Sequence, residues 1–126
     1  MEKVKTRTAD IWKDKNGIIW LKVSEGVEMD VEDAADNLLV IKNLSKSVPV
    51  LRILDSRNKW NISDEAKKYT ETAFKHQNTI AYAVLVNSFT DKILRNFILK
   101  FNRPEMPLKT FTEESEAIAW LLSFKK

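Results

Sequence analysis

The period of apolar and polar positions changes several times along the chain, and each change marks an element. Ala9 to Lys13 and Ile18 to Val23 are short β-type runs separated by Asp14-Lys15-Asn16-Gly17. A polar turn ending in glycine between such runs predicts a hairpin with a loop of about four residues. Trp12 and Trp20 then face each other across it, as core or interface residues. Behind Asp30, an N-cap residue type, Val31, Ala34, Ala35, Leu38, Ile41 and Leu44 recur at helical spacing. They predict an amphipathic helix of about four turns that ends near Ser45 to Ser47, before Pro49.

Val50, Leu51, Ile53 and Leu54 form the next strand, whose carboxyl end is Asp55. Arg52 at its centre predicts a partly open sheet face, on which the guanidinium snorkels or is paired, because burying it alone would cost too much. Arg57, Asn58, Lys59, Trp60 and Asn61 read as a polar loop. Ser63 then caps a helix with Asp64 and Glu65 in its first turn and Ala66, Tyr69, Ala73 and Phe74 on its apolar side. Ile80 to Val86, apolar on both faces and containing β-branched residues, predicts a central buried strand.

Asn87 and Ser88 end that strand, and Ser88 or Thr90 caps a helix bearing Ile93, Leu94, Phe97, Ile98 and Phe101 on one side and Lys92, Arg95, Asn96 and Arg103 on the other. Pro104 to Pro107 break the chain, Leu108 to Phe111 supply a last strand, and Thr112 caps a final helix with Glu113 and Glu114 at its start. Ala117, Ile118, Trp120, Leu121 and Phe124 are its apolar side, with Trp120 as the expected buried anchor. The order β-β-α-β-α-β-α-β-α predicts an α/β fold. We expect one mixed, mainly parallel sheet of about five strands with four helices, Ile80 to Val86 central and the N-terminal hairpin at one edge.

Composition narrows the function. The chain has 126 residues, 44% of them hydrophobic, enough for one domain spanning 1–126 with a real core. Its 21 basic and 18 acidic residues are interspersed, so the net charge of +3 makes a mild field that points away from nucleic acid. Residues 1–7 contain no apolar signal core, and no apolar run reaches the roughly 18 residues of a membrane span, so a soluble, cytoplasmic protein is expected. With no cysteine, disulfides, thiolate catalysis and cysteine-bound metals are excluded. The two glycines, Gly17 and Gly26, leave no room for a dinucleotide fingerprint, a P-loop or a nucleophile elbow. His76 has no second histidine with which to share a metal and reads as a residue at a helix C-terminus. No cofactor or metal is expected, and Asp55, Ser56, Arg57 and Lys59 lack a partnering histidine or second carboxylate, so no catalytic set assembles.

Ligands of open α/β sheets are met at the carboxyl ends of the strands. Asp55, Ser56, Arg57, Lys59, Trp60 and Ser63 are therefore the candidate partner-binding loop, with Asn87, Ser88 and Asp91 as the neighbouring turn. An exposed Trp60 among polar neighbours would be a binding hot spot; folded back onto the helix from Ser63 it would be a lid. An open face carrying Arg52, with Trp20 and Tyr82 nearby, would leave apolar surface that a homodimer would cover.

Ala81 to Phe101, AYAVLVNSFTDKILRNFILKF, followed by PLKTFTEESEAIAWL from Pro107, closely resembles the carboxyl-terminal half of the SpoIIAA-like bacterial proteins related to STAS domains. A closing signature is carried by Phe111, Ala117, Trp120 and Leu121, and Ile53 to Ser56 resembles the strand whose terminal aspartate begins that family's functional loop. The resemblance implies a STAS-type fold and a non-enzymatic regulatory or protein-interaction module. In sporulation anti-sigma-factor antagonists a serine after this loop is phosphorylated by a partner kinase, and Ser63 occupies the comparable place. The family's Asp-Ser-Ser-Gly pattern is absent here, and Asp64 and Glu65 would repel an added phosphate. Ser63 is therefore read as a plain N-cap. The alternative implied by the resemblance is a small-molecule or lipid carrier of Sec14-like type, with the helix Ile93 to Phe101 lining an apolar cavity of about 300 Å³ or more.

Overall fold

The computed structural model of the chain describes residues 2–74, 78–88 and 106–125. The hairpin forms as the pattern predicts: β2 (Ala9–Lys13) pairs antiparallel with β3 (Ile19–Val23), Trp12 opposite Trp20. The two indoles stack with ring centroids 5.3 Å apart. Asp14 organises the turn. Its Oδ1 accepts from the amides of Asn16 and Ile18, and its Oδ2 from the Trp20 indole. Gly17 has φ +81°, the left-handed conformation that glycine adopts without a Cβ clash. Outside the hairpin lies β1 (Val4–Lys5), which pairs with β2, so the hairpin is not the sheet edge. Two residues are too short for any periodicity to be read.

From β3 the chain makes β4 (Val27–Met29) and then α1 (Val31–Ser45). Asp30 caps α1 in a complete capping box with Asp33. β5 (Val50–Asp55), β6 (Trp60–Ile62) and α2 (Asp64–Phe74) follow, then β7 (Thr79–Leu85), β8 (Leu108–Phe111) and α3 (Glu114–Leu122). The main sheet has six strands in the order β1-β2-β3-β5-β7-β8, parallel from β3 onward, instead of the five expected. β7 is interior, between β5 and β8, but β3 and β5 are the middle strands. Among the described residues there are three helices, and the expected helix from Ile93 to Phe101 lies outside them, as do His76, Thr90 and Asp91.

Trp60 and Asn61, expected in the polar loop, instead form a strand with Ile62 and pair with Val27-Glu28-Met29 as a separate two-stranded parallel sheet. Both alternate apolar-polar-apolar and turn the apolar members toward the core, a period-two signal only three residues long. α3 also starts later than expected. Glu113 is its N-cap residue and makes no side-chain cap, in place of Thr112.

The main sheet is covered on both faces. On one, α3 packs Ala117 and Leu121 against Trp20, Leu51, Ile53, Ala83 and Leu85. On the other, Ala34 and Ile41 of α1 and Ala66 of α2 lie over Ile11, Ile19, Leu21 and Val50. Arg52 belongs to this second face, beside Ile19 and Tyr82 in register. It is 4% exposed, its Nη2 donates to the Tyr82 hydroxyl at 3.3 Å, and the guanidinium lies 4.6 Å from that ring's centre. The partly open face expected around it is thus absent. Trp20 and Tyr82 are buried within the single chain too, which removes the exposed apolar area that a second copy was expected to cover. Burial pushes the Arg52 guanidinium below its ordinary range and the Tyr82 hydroxyl above its own.

Trp120 is not the deepest residue of α3. It is half-buried, 5.6 Å from Phe111 and 5.0 Å from Phe124 between ring centres, while Ala117 and Leu121 are fully enclosed. α1 buries more than apolar groups: Asp33 is paired with Arg7, and Asn37 donates to Thr8 Oγ1 and accepts from Thr6 Oγ1. These bonds fasten the β1–β2 turn to the helix. No helix among the described residues is long and apolar enough to cross a membrane.

Candidate functional site

The parallel run β3-β5-β7-β8 brings four carboxyl ends to one rim of the sheet. β5 delivers Asp55 there with its side chain turned inward, only 3% exposed. The next residue is anchored to β7: the Ser56 amide and hydroxyl both donate to the Leu85 carbonyl, at 3.1 and 2.9 Å. Arg57 folds back onto Asp55 as a fork, Nε to Oδ1 at 2.9 Å and Nη2 to Oδ2 at 2.8 Å. Its Nη2 also reaches Glu114 Oε1 at 2.7 Å, in the first turn of α3. One guanidinium therefore ties the end of a central strand to the start of the last helix.

The rest of the loop is held by neighbours on every side. Asn58 Nδ2 donates to the Val23 carbonyl at 2.9 Å, and the Lys59 amide donates to Glu25 Oε2 at 3.0 Å. The Gly26 amide donates to the Lys59 carbonyl, and Asn87 Nδ2 donates to the Arg57 carbonyl at 2.6 Å. Gly26, at φ +75°, makes the turn that brings its amide to Lys59. The side chains of Lys59, Asn87 and Ser88 face solvent.

These bonds set the electrostatics. Burial alone would raise the Asp55 carboxyl, but hydrogen bonds from the Arg57 side chain and backbone, with the Arg57 and Lys22 charges, outweigh it and hold the group below the usual carboxylate range. The same fork raises Arg57 above its ordinary value. Asp55 is an ionised acceptor already engaged by a cation, and the Ser56 hydroxyl is buried and spent on a carbonyl. The geometry suits a stiff, polar contact surface better than proton transfer.

Of the residues singled out from sequence, Asp55, Ser56, Arg57, Lys59 and Asn87 come together with Ser88 on this rim, and Asp91 lies outside the described residues. Trp60 and Ser63 are placed differently. Trp60 sits in β6, half-buried, packed against the core cluster of α1 and α2 and partly open to solvent. Ser63 Oγ accepts the Ala66 amide at 3.1 Å, an N-cap bond, and donates to Asp30 Oδ1 at 3.0 Å. Asp30 Oδ1 also accepts the Val31 amide, so the caps of two helices share one hydrogen bond. Ser63→Ala should therefore destabilise by about 1 to 2 kcal/mol, the upper part of the N-cap range, in urea melts. A loss under about 0.3 kcal/mol would show that the shared bond contributes nothing.

Sequence reasoning placed Asn58 in the polar loop without giving it a role, and missed Glu25 and Glu114. Only Glu114 left a signal, as an acid opening the helix after the last parallel strand, because parallel strands gather their carboxyl ends. A second feature lies on the α1–α2 face, a cavity of about 90 Å³ partly open to solvent. Leu21, Met29, Ile41, Trp60, Arg52 and Tyr82 are among its lining residues.

The fold is similar to that of an uncharacterised protein of the DUF3478 family from Shewanella loihica PV-4, described as having a SpoIIAA-like fold. That crystal structure superposes with a TM-score of 0.69 at 12% identity, covering 90% of this chain and 91% of its own. The SpoIIAA-like fold implied by the resemblance is therefore shown. A protein of unknown function from Arthrobacter sp. FB24, 21% identical over 94% of this chain and 95% of its own, superposes with a TM-score of only 0.32. No curated protein matches the chain. The model of the family described as Domain of unknown function (DUF7793) matches residues 11–125, and the chain belongs to that family.

Proposed function

We propose that this chain is a non-catalytic interaction module of STAS/SpoIIAA-like type that meets a protein partner through the rim formed by Asp55 to Lys59 and the turn at Asn87 and Ser88. The observation that carries this reading is the clamping of the loop. Arg57, Asn58 and Lys59 are bonded to three separate parts of the chain, Glu114, the stretch Val23 to Glu25, and Asn87, yet Lys59 and Asn87 keep exposed side chains. A surface ordered before binding loses little conformational entropy on association, so its few polar contacts count more fully toward affinity. The resemblance of Ile53 to Ser56 to the start of the functional loop in SpoIIAA-like proteins supports the same place. Enzymatic work finds less support, since the carboxylate and the hydroxyl nearest each other are both committed to structural bonds.

A small-molecule or lipid carrier of Sec14-like type is the second reading: the cavity on the α1–α2 face is about 90 Å³, short of the roughly 300 Å³ at which ligand pockets begin, and the helix Ile93 to Phe101 that was to line a larger one lies outside the described residues. The test reverses the charge of Lys59, whose side chain makes none of the clamping bonds, since only its backbone amide and carbonyl are engaged. In affinity capture from extracts of the source organism, Lys59→Glu should lose a protein that the wild type retains, by tenfold or more, at an unchanged melting midpoint. Equal capture by both forms would remove the rim as the binding surface.

A further inference from the structure

Basic and acidic residues are interspersed along the sequence, but the fold sorts them by end. β5, β7 and β8 run parallel to β3, so these strands begin together at the end of the molecule opposite the rim. The hairpin turn before β3 lies there, with Lys13 closing β2, and so does the C-terminus of α1, which leads into β5. Lys3 lies over the Trp12 ring beside that turn, 4.5 Å from its centre. α3 runs from the rim, where Glu114 meets Arg57, to Lys125, whose Nζ donates to the Asn16 carbonyl of the turn at 2.6 Å. Lys3, Lys13, Lys15, Lys42, Lys46 and Lys125 therefore share one end, all exposed and none in an ion pair with a described residue. The nearest described acids are Glu2, Asp14 and Glu71, and the Asp14 carboxylate is taken up by two amides and the Trp20 indole. The acids that open α1, α2 and α3 stand at the other end.

Helix polarity explains part of this sorting, since acids favour helix N-termini and cations C-termini. It does not account for Lys3, Lys13 and Lys15, which lie on no helix. Nor does it account for Val48. The register of Ile19 with Arg52 brings the hairpin turn level with Val48 and Pro49, both exposed, and Val48 keeps 51% of its surface in water among the lysines. That combination fits an anionic bilayer. Each lysine near such a surface raises affinity roughly fivefold, and an aliphatic side chain among them gains by entering the interface. Single-stranded nucleic acid is held by exposed rings on which bases stack, whereas Trp12 and Trp20, beside the turn, are buried and stacked on each other.

We propose that the end at which the parallel strands begin docks on the surface of an anionic lipid bilayer, the lysines against lipid phosphates and Val48 in the interface. The surface lies opposite the rim and does not depend on the rim's role. The full chain is sedimented at low salt with vesicles of phosphatidylglycerol and phosphatidylcholine in equal parts, and with vesicles of phosphatidylcholine alone. It should bind the first and not the second, and binding should fall steeply as salt is raised. Lys15→Gln, Lys42→Gln and Lys46→Gln combined should weaken it about a hundredfold, at a nearly unchanged melting midpoint because all three side chains are exposed. Val48→Ser should weaken vesicle binding severalfold while leaving retention on heparin, a soluble polyanion, as it was. If the triple variant does not fold, the two vesicle compositions and Val48→Ser still decide. Equal binding to both vesicles, none to the anionic ones, or undiminished binding by the folded triple variant would each overturn the surface. Val48→Ser without effect on vesicle binding, with heparin retained by the lysines, would make this a site for soluble polyanions and overturn the lipid assignment.

Discussion

Leu121→Ala should lower the unfolding free energy by about 3 to 4 kcal/mol, more than truncation of the larger Trp120 beside it. Leu121 is fully buried between α3 and the sheet, packed in the cluster that holds Ile53, Ala83 and Leu85. Removing its branched end deletes apolar contact and leaves a hole that rigid strands on one side and α3 on the other cannot close. Trp120 is half-buried, and its main ring contacts are Phe111 and Phe124 near the end of the helix. Trp120→Ala should therefore cost about 2 kcal/mol, below the range for a wholly enclosed aromatic. Chemical denaturation of both variants gives the order directly. A larger loss for Trp120 would mean that the C-terminal end of α3 is better anchored than its centre.

The second large effect is expected at Asp55 and carries a pH signature. Asp55→Asn keeps the shape but removes the charge that receives both arms of the Arg57 fork, and should cost about 2 kcal/mol at pH 7, at the lower part of the range for charge-assisted bonds because Arg57 is partly exposed. The Asp55 carboxyl is held below its ordinary value in the fold, so the unfolded chain takes up the proton first as pH falls. The contribution is thus fully present above about pH 4, the ordinary aspartate value, and is lost as pH drops through the lower folded value. Wild type and Asp55→Asn should differ most near neutrality and converge in acid. A stability gap that stays constant from pH 7 to pH 3 would show that the fork contributes through shape and not through charge.

Hydrophobic period was sufficient for much of this architecture. Trp12 and Trp20 could be set opposite each other because a four-residue polar turn ending in glycine leaves little choice of register. Asp30 and Ser63 could be named as caps because the residue type and the helical period after it are both local. Asp55 and its rim followed from a single rule, that the chain leaves a parallel strand at its carboxyl end. Arg52 shows where such reading fails. Its charge argued for an open face, and nothing within a few residues of it could reveal that Tyr82, thirty positions on, supplies a ring and a hydroxyl for it inside the fold.

What the sequence determined by itself is what short-range physics controls: the alternation of strand and helix, the hairpin and its register, the caps at Asp30 and Ser63, the apolar sides and the exit of the loop after Asp55. Tertiary structure alone decided which of those pieces met. β1 and the β4–β6 pair are two and three residues long, and such segments become strands only because a partner strand takes up their backbone groups. The link from Arg57 to Glu114 joins positions 57 residues apart, the burial of Arg52 needs a helix layer over its face, and Trp60 became a wall of the cavity because α1 and α2 closed around it. Each of these depends on which distant surfaces pack together, and a local pattern carries no record of that.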